Sequence, residues 1–95
     1  MLFRSVTGQG PVITLSASEA SNLIQEYFGI LSANTDVILP PTVQLYIITN
    51  NTTGSYTLTF GTGAVGAATV TIAQTQTLIV VCDGTNVYKI GRAHV

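Results

Sequence analysis

The sequence predicts an all-β domain: a compact antiparallel β-sandwich or barrel-like module of about seven or eight short strands with at most one short helical turn. Three observations carry that expectation. Thr, Val and Ile recur throughout, and their branched Cβ atoms suit a pleated sheet better than a helix. Short runs alternate apolar and polar residues with the period of two that strand geometry imposes. Clusters of Asn, Gly, Asp and Pro break those runs at short intervals, as turns require.

The first expected strand covers residues 11–15, Pro-Val-Ile-Thr-Leu, with Pro11 acceptable at an opening position where no ladder donor is needed. In the next segment Ala20, Leu23, Ile24, Tyr27, Phe28 and Leu31 recur at helical spacing behind a Ser16 cap with Glu19 three residues on. Gly29 and the adjacent aromatics Tyr27 and Phe28 oppose a helix there. Helix and strand both stay open for residues 23–31; the reading adopted is a helical turn over 18–22 and then strand. Ser32-Ala33-Asn34-Thr35 turns the chain into a strand over 36–39, which Pro40-Pro41 ends. Residues 44–49 are among the most apolar of the chain and are expected to be covered on both faces. Asn50-Asn51-Thr52-Thr53-Gly54 reads as the turn of a hairpin whose return strand is 55–60. Strands follow over 69–72, 76–82 and 87–90, the last two joined as a second hairpin by Asp83-Gly84-Thr85-Asn86. No internal repeat or linker is evident, so residues 1–95 read as one domain, with a core over about 11–89 and terminal segments at 1–10 and 90–95.

Composition excludes several function classes. Hydrophobic residues make up 46% and charged residues 7% of the 95, far from the roughly 25% charged of an average domain and from the profile of disorder. Three basic residues against four acidic ones give a net charge of −1, and nucleic-acid binding needs clustered positive charge. The longest aliphatic run, residues 78–82, is about a quarter of the ~20 residues of a membrane-spanning helix. Residues 1–12 show no apolar core like that of a signal peptide. One Cys permits no internal disulfide.

Ser-x-x-Glu-Ala-x-Asn (16–22), Gly-x-Leu-x-x-Asn (29–34), Val-x-Leu-Pro (37–40), Asn-Asn-Thr-Thr-Gly (50–54) and Cys-Asp-Gly-Thr-Asn-Val (82–87) occur in that order. The pattern resembles a small β-structured module of tail-fibre and other virion-surface proteins of tailed bacteriophages, over about residues 11–89. The resemblance implies a virion location, a homotrimer and contacts with other virion proteins. The final six residues, Ile90-Gly91-Arg92-Ala93-His94-Val95, resemble one reading frame of a common sequencing adapter, as in a gene assembled from environmental DNA. No function is therefore assigned to Arg92 or His94.

Candidate sites are few. Gly61-Thr62-Gly63-Ala64-Val65-Gly66-Ala67 matches G-x-G-x-x-G/A, with Asp83 about 20 residues on. A dinucleotide site needs a helix opening at the third Gly; residues 68–72 are strand-like, so a loop between two antiparallel strands is the better reading. Glu19, Glu26, Asp36 and Asp83 are separated carboxylates, and His94 is the only His. Neither acid–base pairs nor nucleophile–base systems can be assembled from them, so no enzyme activity, metal or cofactor is expected. Cys82 reads as a small buried hydrophobe. Asn50 and Asn51 both fit the glycosylation triplet, although Asn-rich turns arise for backbone reasons alone. Tyr27, Tyr46, Tyr56 and Tyr88 are better read as packing residues than as a saccharide-stacking face.

The expected function is that of a non-enzymatic bacteriophage structural module that self-associates in a tail fibre or on the virion surface. The alternatives are a receptor module binding a host surface glycan, or a capsid decoration protein. Asn50, Asn51, Thr52, Thr53, Asp83, Thr85 and Asn86 are the candidate contact residues of the glycan-binding alternative.

Overall fold

The computed structural model describes residues 1–92, apart from the side chain of Arg92; the Ala93, His94 and Val95 part of the adapter-like tail lies outside the described residues. Among the described residues nine strands and one helical turn are formed: β1 (Leu2–Ser5), β2 (Val12–Thr14), α1 (Ala17–Ala20), β3 (Ile24–Ile30), β4 (Thr35–Ile38), β5 (Val43–Thr53), β6 (Leu58–Gly61), β7 (Val70–Ile72), β8 (Thr77–Asp83) and β9 (Val87–Arg92). They make two sheets, ordered β1-β3-β5-β8-β9 and β2-β4-β6-β7. The domain is an all-β sandwich, as the residue pattern predicts.

The pairing is mixed rather than antiparallel. From β1 to β6 the chain passes alternately from one sheet to the other, so β1, β3 and β5 run parallel in one sheet and β2, β4 and β6 run parallel in the other. Leu2 faces Gln25 and Gln25 faces Ile48, a step of 23 residues each time. Across the other sheet Val12 faces Asp36, 24 residues on, and Thr35 faces Leu58, 23 on. The chain therefore winds as a flattened coil, a recurrence absent from the residue types: the inward row Arg4, Tyr27 and Asn50 shares position but not chemistry. β7, β8 and β9 then end the winding with antiparallel pairs.

Two consequences correct the expectations from sequence. β5 continues through Thr53, so Asn50–Thr53 is strand and the turn begins at Gly54 (φ +108°) and Ser55 (φ +62°). β5 and β6 lie in different sheets, so the expected hairpin between them does not form, whereas β8 and β9 do form one. The chain's first residues also join the sheet: β1 pairs with β3 and Val6 is buried.

Local chemistry explains each stop. Ser16 caps α1 with a reciprocal box: its hydroxyl accepts from Glu19 N at 3.1 Å, and Glu19 Oε1 accepts from Ser16 N at 3.0 Å. The resulting helix is one turn long, and residues 24–30 become strand because both neighbouring strands supply ladders. Between the sheets lie Ile13, Val37, Phe60 and Ile72 from one side and Tyr27, Tyr46, Ile48, Leu78, Val80, Cys82 and Val87 from the other. The rings of Tyr27 and Phe60 meet edge to face at 5.2 Å, joining the two sheets. β5 is covered on its inner face only: Tyr46 and Ile48 are buried, while Val43 and Leu45 remain exposed.

Candidate functional site

The candidate contact residues fall into two separate groups. Val43 at the start of β5 pairs with Asp83, and Asn50 lies seven residues further along that strand, about 23 Å away at 3.3 Å per residue. Asn50, Asn51, Thr52 and Thr53 therefore sit toward one end of the sandwich and Asp83, Thr85 and Asn86 at the other. No single ligand-sized surface joins them.

In the first group, strand alternation turns Asn50 and Thr52 into the core and leaves Asn51 and Thr53 exposed. Asn50 Nδ2 donates to Ile72 O at 2.8 Å across the sandwich, and its Oδ1 accepts from Thr52 N (3.1 Å) and Thr52 Oγ1 (2.6 Å). This pair is an internal brace between sheets. Outside, Asn51 Nδ2 reaches Glu26 Oε2 at 3.5 Å and Thr53 Oγ1 reaches Gly29 O at 3.4 Å. The two glycosylation triplets thus begin on a buried Asn50 and an exposed Asn51.

The second group is a tight turn. Asp83 Oδ1 accepts from Asn86 N (2.8 Å) and Thr85 N (3.0 Å), and the backbone amides of Asn86 and then Thr85 hold its carboxyl below the usual carboxylate range. Asn86 Oδ1 accepts from Ala68 N at 2.9 Å, and Thr62 Oγ1 donates to Thr85 O at 2.5 Å. The turn is clamped to the loop between β6 and β7. That loop is the Gly61–Ala67 motif, and it links two antiparallel strands as expected. Gly63 (φ +82°) and Gly66 (φ +74°) serve its bends, and β7, not a helix, follows.

The remaining chemistry-bearing groups are dispersed. Arg4 Nε lies 3.5 Å from Glu19 Oε2. Tyr27 and Tyr46 are buried, while Tyr56 and Tyr88 are exposed, so the four tyrosines form no common face. Burial raises both buried phenols above their ordinary value, and Tyr27 OH donates to Gln25 Oε1 at 2.7 Å. The Tyr46 hydroxyl is buried without a hydrogen-bond partner. Cys82 is free and buried, as its sequence context predicts. Among the described residues no group of three or more His, Cys, Asp or Glu is placed to hold a metal ion.

The outer face of the five-stranded sheet is apolar over part of its extent. Ile24, Ile47 and Ile79 form one transverse row and Leu45, Val81 and Tyr88 the next. The signal for it is present in residues 43–48 and 78–82, which are apolar at both parities of the strand period. No family model matches the chain, and neither a curated protein nor a solved structure matches it.

Proposed function

We propose that the protein is a non-enzymatic structural module that assembles with copies of itself, as a homotrimer, in the tail fibre or on the surface of a bacteriophage virion. One observation carries the structural part of this reading. Most of the candidate polar groups are engaged within the protein: Asn50 and Thr52 brace the core, the Asp83 and Asn86 side chains accept from backbone amides, and the Thr85 backbone ties the turn to the neighbouring loop, while Asn51 and Thr53 stay exposed. Their chemistry fixes shape. The order of turn motifs supports the virion setting, and the pairing of 46% hydrophobic with 7% charged residues supports association. A chain of this size buries only about two-thirds of its unfolded surface, leaving apolar area to be covered by other copies.

Light scattering coupled to size exclusion at micromolar concentration tests the reading. Three copies of the 10.0 kDa chain give about 30 kDa. A folded species of one chain's mass overturns self-association, and a stable dimer overturns the trimer alone. A glycan array should show no binding. Binding that Asn51→Ala or Asn86→Ala abolishes would instead favour a host-receptor module.

A further inference from the structure

The geometry points to the outer face of the five-stranded sheet as the surface on which a second copy of this chain seats; the inference rests on the self-association proposed above and names its interface. The two faces of the sandwich differ. On the four-stranded sheet Val12 and Ile38 point outward beside Thr14, Asp36, Thr59 and Thr71, with Thr59 Oγ1 and Thr71 Oγ1 hydrogen-bonded at 3.0 Å. That face is the more polar of the two. On the five-stranded sheet the rows Ile24–Ile47–Ile79 and Leu45–Val81–Tyr88 lie side by side, and the row beyond them pairs Val43, 79% exposed, with Asp83. Beyond Ile47 the next row is mixed, Phe3 beside Glu26, Thr49 and Thr77, the two threonines sharing a 2.8 Å hydrogen bond.

An apolar centre beside a polar margin is the anatomy of a protein interface. The sheet's five strands at about 4.8 Å, and the seven residues paired between β5 and β8 at about 3.3 Å, give the face on the order of 450 Å² in projection. Protruding side chains raise the accessible area above that projection, toward the roughly 800 Å² per partner of a standard interface. A copy of the chain is the fitting occupant for two reasons. Each copy carries the same flat apolar face, so three copies can turn these sheets toward one another around a three-fold axis. The two apolar rows hold no charged side chain, so bringing them together at that axis opposes no like charges within the rows.

The test compares the wild-type chain, the double variant Leu45→Lys with Val81→Lys, and the opposite-face control Thr71→Lys by light scattering over a dilution series. Folding is checked by circular dichroism. The double variant is expected to need at least about tenfold more protein for half-assembly, while the control assembles as wild type does. If the lysines prevent folding, Leu45→Thr with Val81→Thr keeps strand-favouring residues and is expected to weaken assembly in the same direction. A folded double variant that assembles like wild type overturns this interface and leaves self-association standing. A monomeric wild-type chain overturns both.

Discussion

Asn50 shows how a residue type can be read correctly and its role missed. Asn and Gly at 50–54 signal positive φ, yet only Gly54 and Ser55 adopt it. Asn50 stays in β5 because its amide finds Ile72 O and Thr52 in the core. Ile72 lies 22 residues away, a partner that local turn chemistry does not reveal. Asn50→Ala would orphan the Thr52 amide and Ile72 O, and each unpaired buried group costs about 1–3 kcal/mol. A loss of about 3 kcal/mol is expected, read from the urea midpoint at unchanged slope. The Asp83 turn, by contrast, was legible, because Asp-Gly-Thr-Asn bonds within itself. Its depressed carboxyl value gives a pH dependence of definite sign. The ionised form is favoured by folding, so the contribution is complete above the ordinary carboxylate value and is lost as pH falls through the depressed one. Asp83→Asn, which keeps an acceptor oxygen but does not titrate, should show a shallower decline in melting temperature between about pH 5 and pH 2 than wild type. Equal slopes would remove Asp83 from the acid response.

The capping box at Ser16 was visible in the spacing of Ser16 and Glu19, and it is formed as a reciprocal pair. What the spacing could not fix is the helix length. Apolar positions through Leu31 continue the helical period, but parallel pairing with β1 and β5 gives residues 24–30 a full ladder on both edges, which outweighs weak local preference. Ser16→Ala should cost about 1 kcal/mol, since one turn of helix has no other N-terminal cap. Turns between sheets carry a larger constraint. Gly54 sits at φ +108°, and a Cβ there would run into the Leu31 carbonyl oxygen of the preceding coil. Gly54→Ala combines backbone strain with a backbone clash, so a loss above about 2 kcal/mol is expected in a denaturant melt. Gly8→Ala, also at positive φ but with open space around it, should cost less. Equal costs at the two positions would show that the packing of one turn on the next contributes nothing.

The winding of the whole chain was the least legible level, because a 23-residue step fixes where backbones stack without asking for the same side chain at each stacked position. Leu2, Gln25 and Ile48 share one inward row, so comparing residue types along the chain finds no period. Such a coil, with contacts only between neighbouring turns, could unravel one turn at a time. Three features oppose that here: β8 lies antiparallel against β5, β9 against β8, and Tyr27 touches Phe60 across the core. β5 is the hub of this arrangement. Ile48, fully buried on it, faces Gln25 of β3 and Leu78 of β8. Ile48→Lys would place an unpaired ammonium between the sheets, a penalty comparable to the 5–15 kcal/mol that stabilises a typical domain. The expected result is loss of the entire fold: far-ultraviolet circular dichroism and tyrosine fluorescence should both report an unfolded chain in the absence of denaturant. In the wild-type chain the same two probes should trace one coincident urea transition. Its refolding should fall in the millisecond-to-second range, because every parallel pair closes a loop of 23 or 24 residues. Two separated transitions, or an Ile48→Lys chain that keeps native strand content, would show that the coils are independent units and that β5 does not couple them.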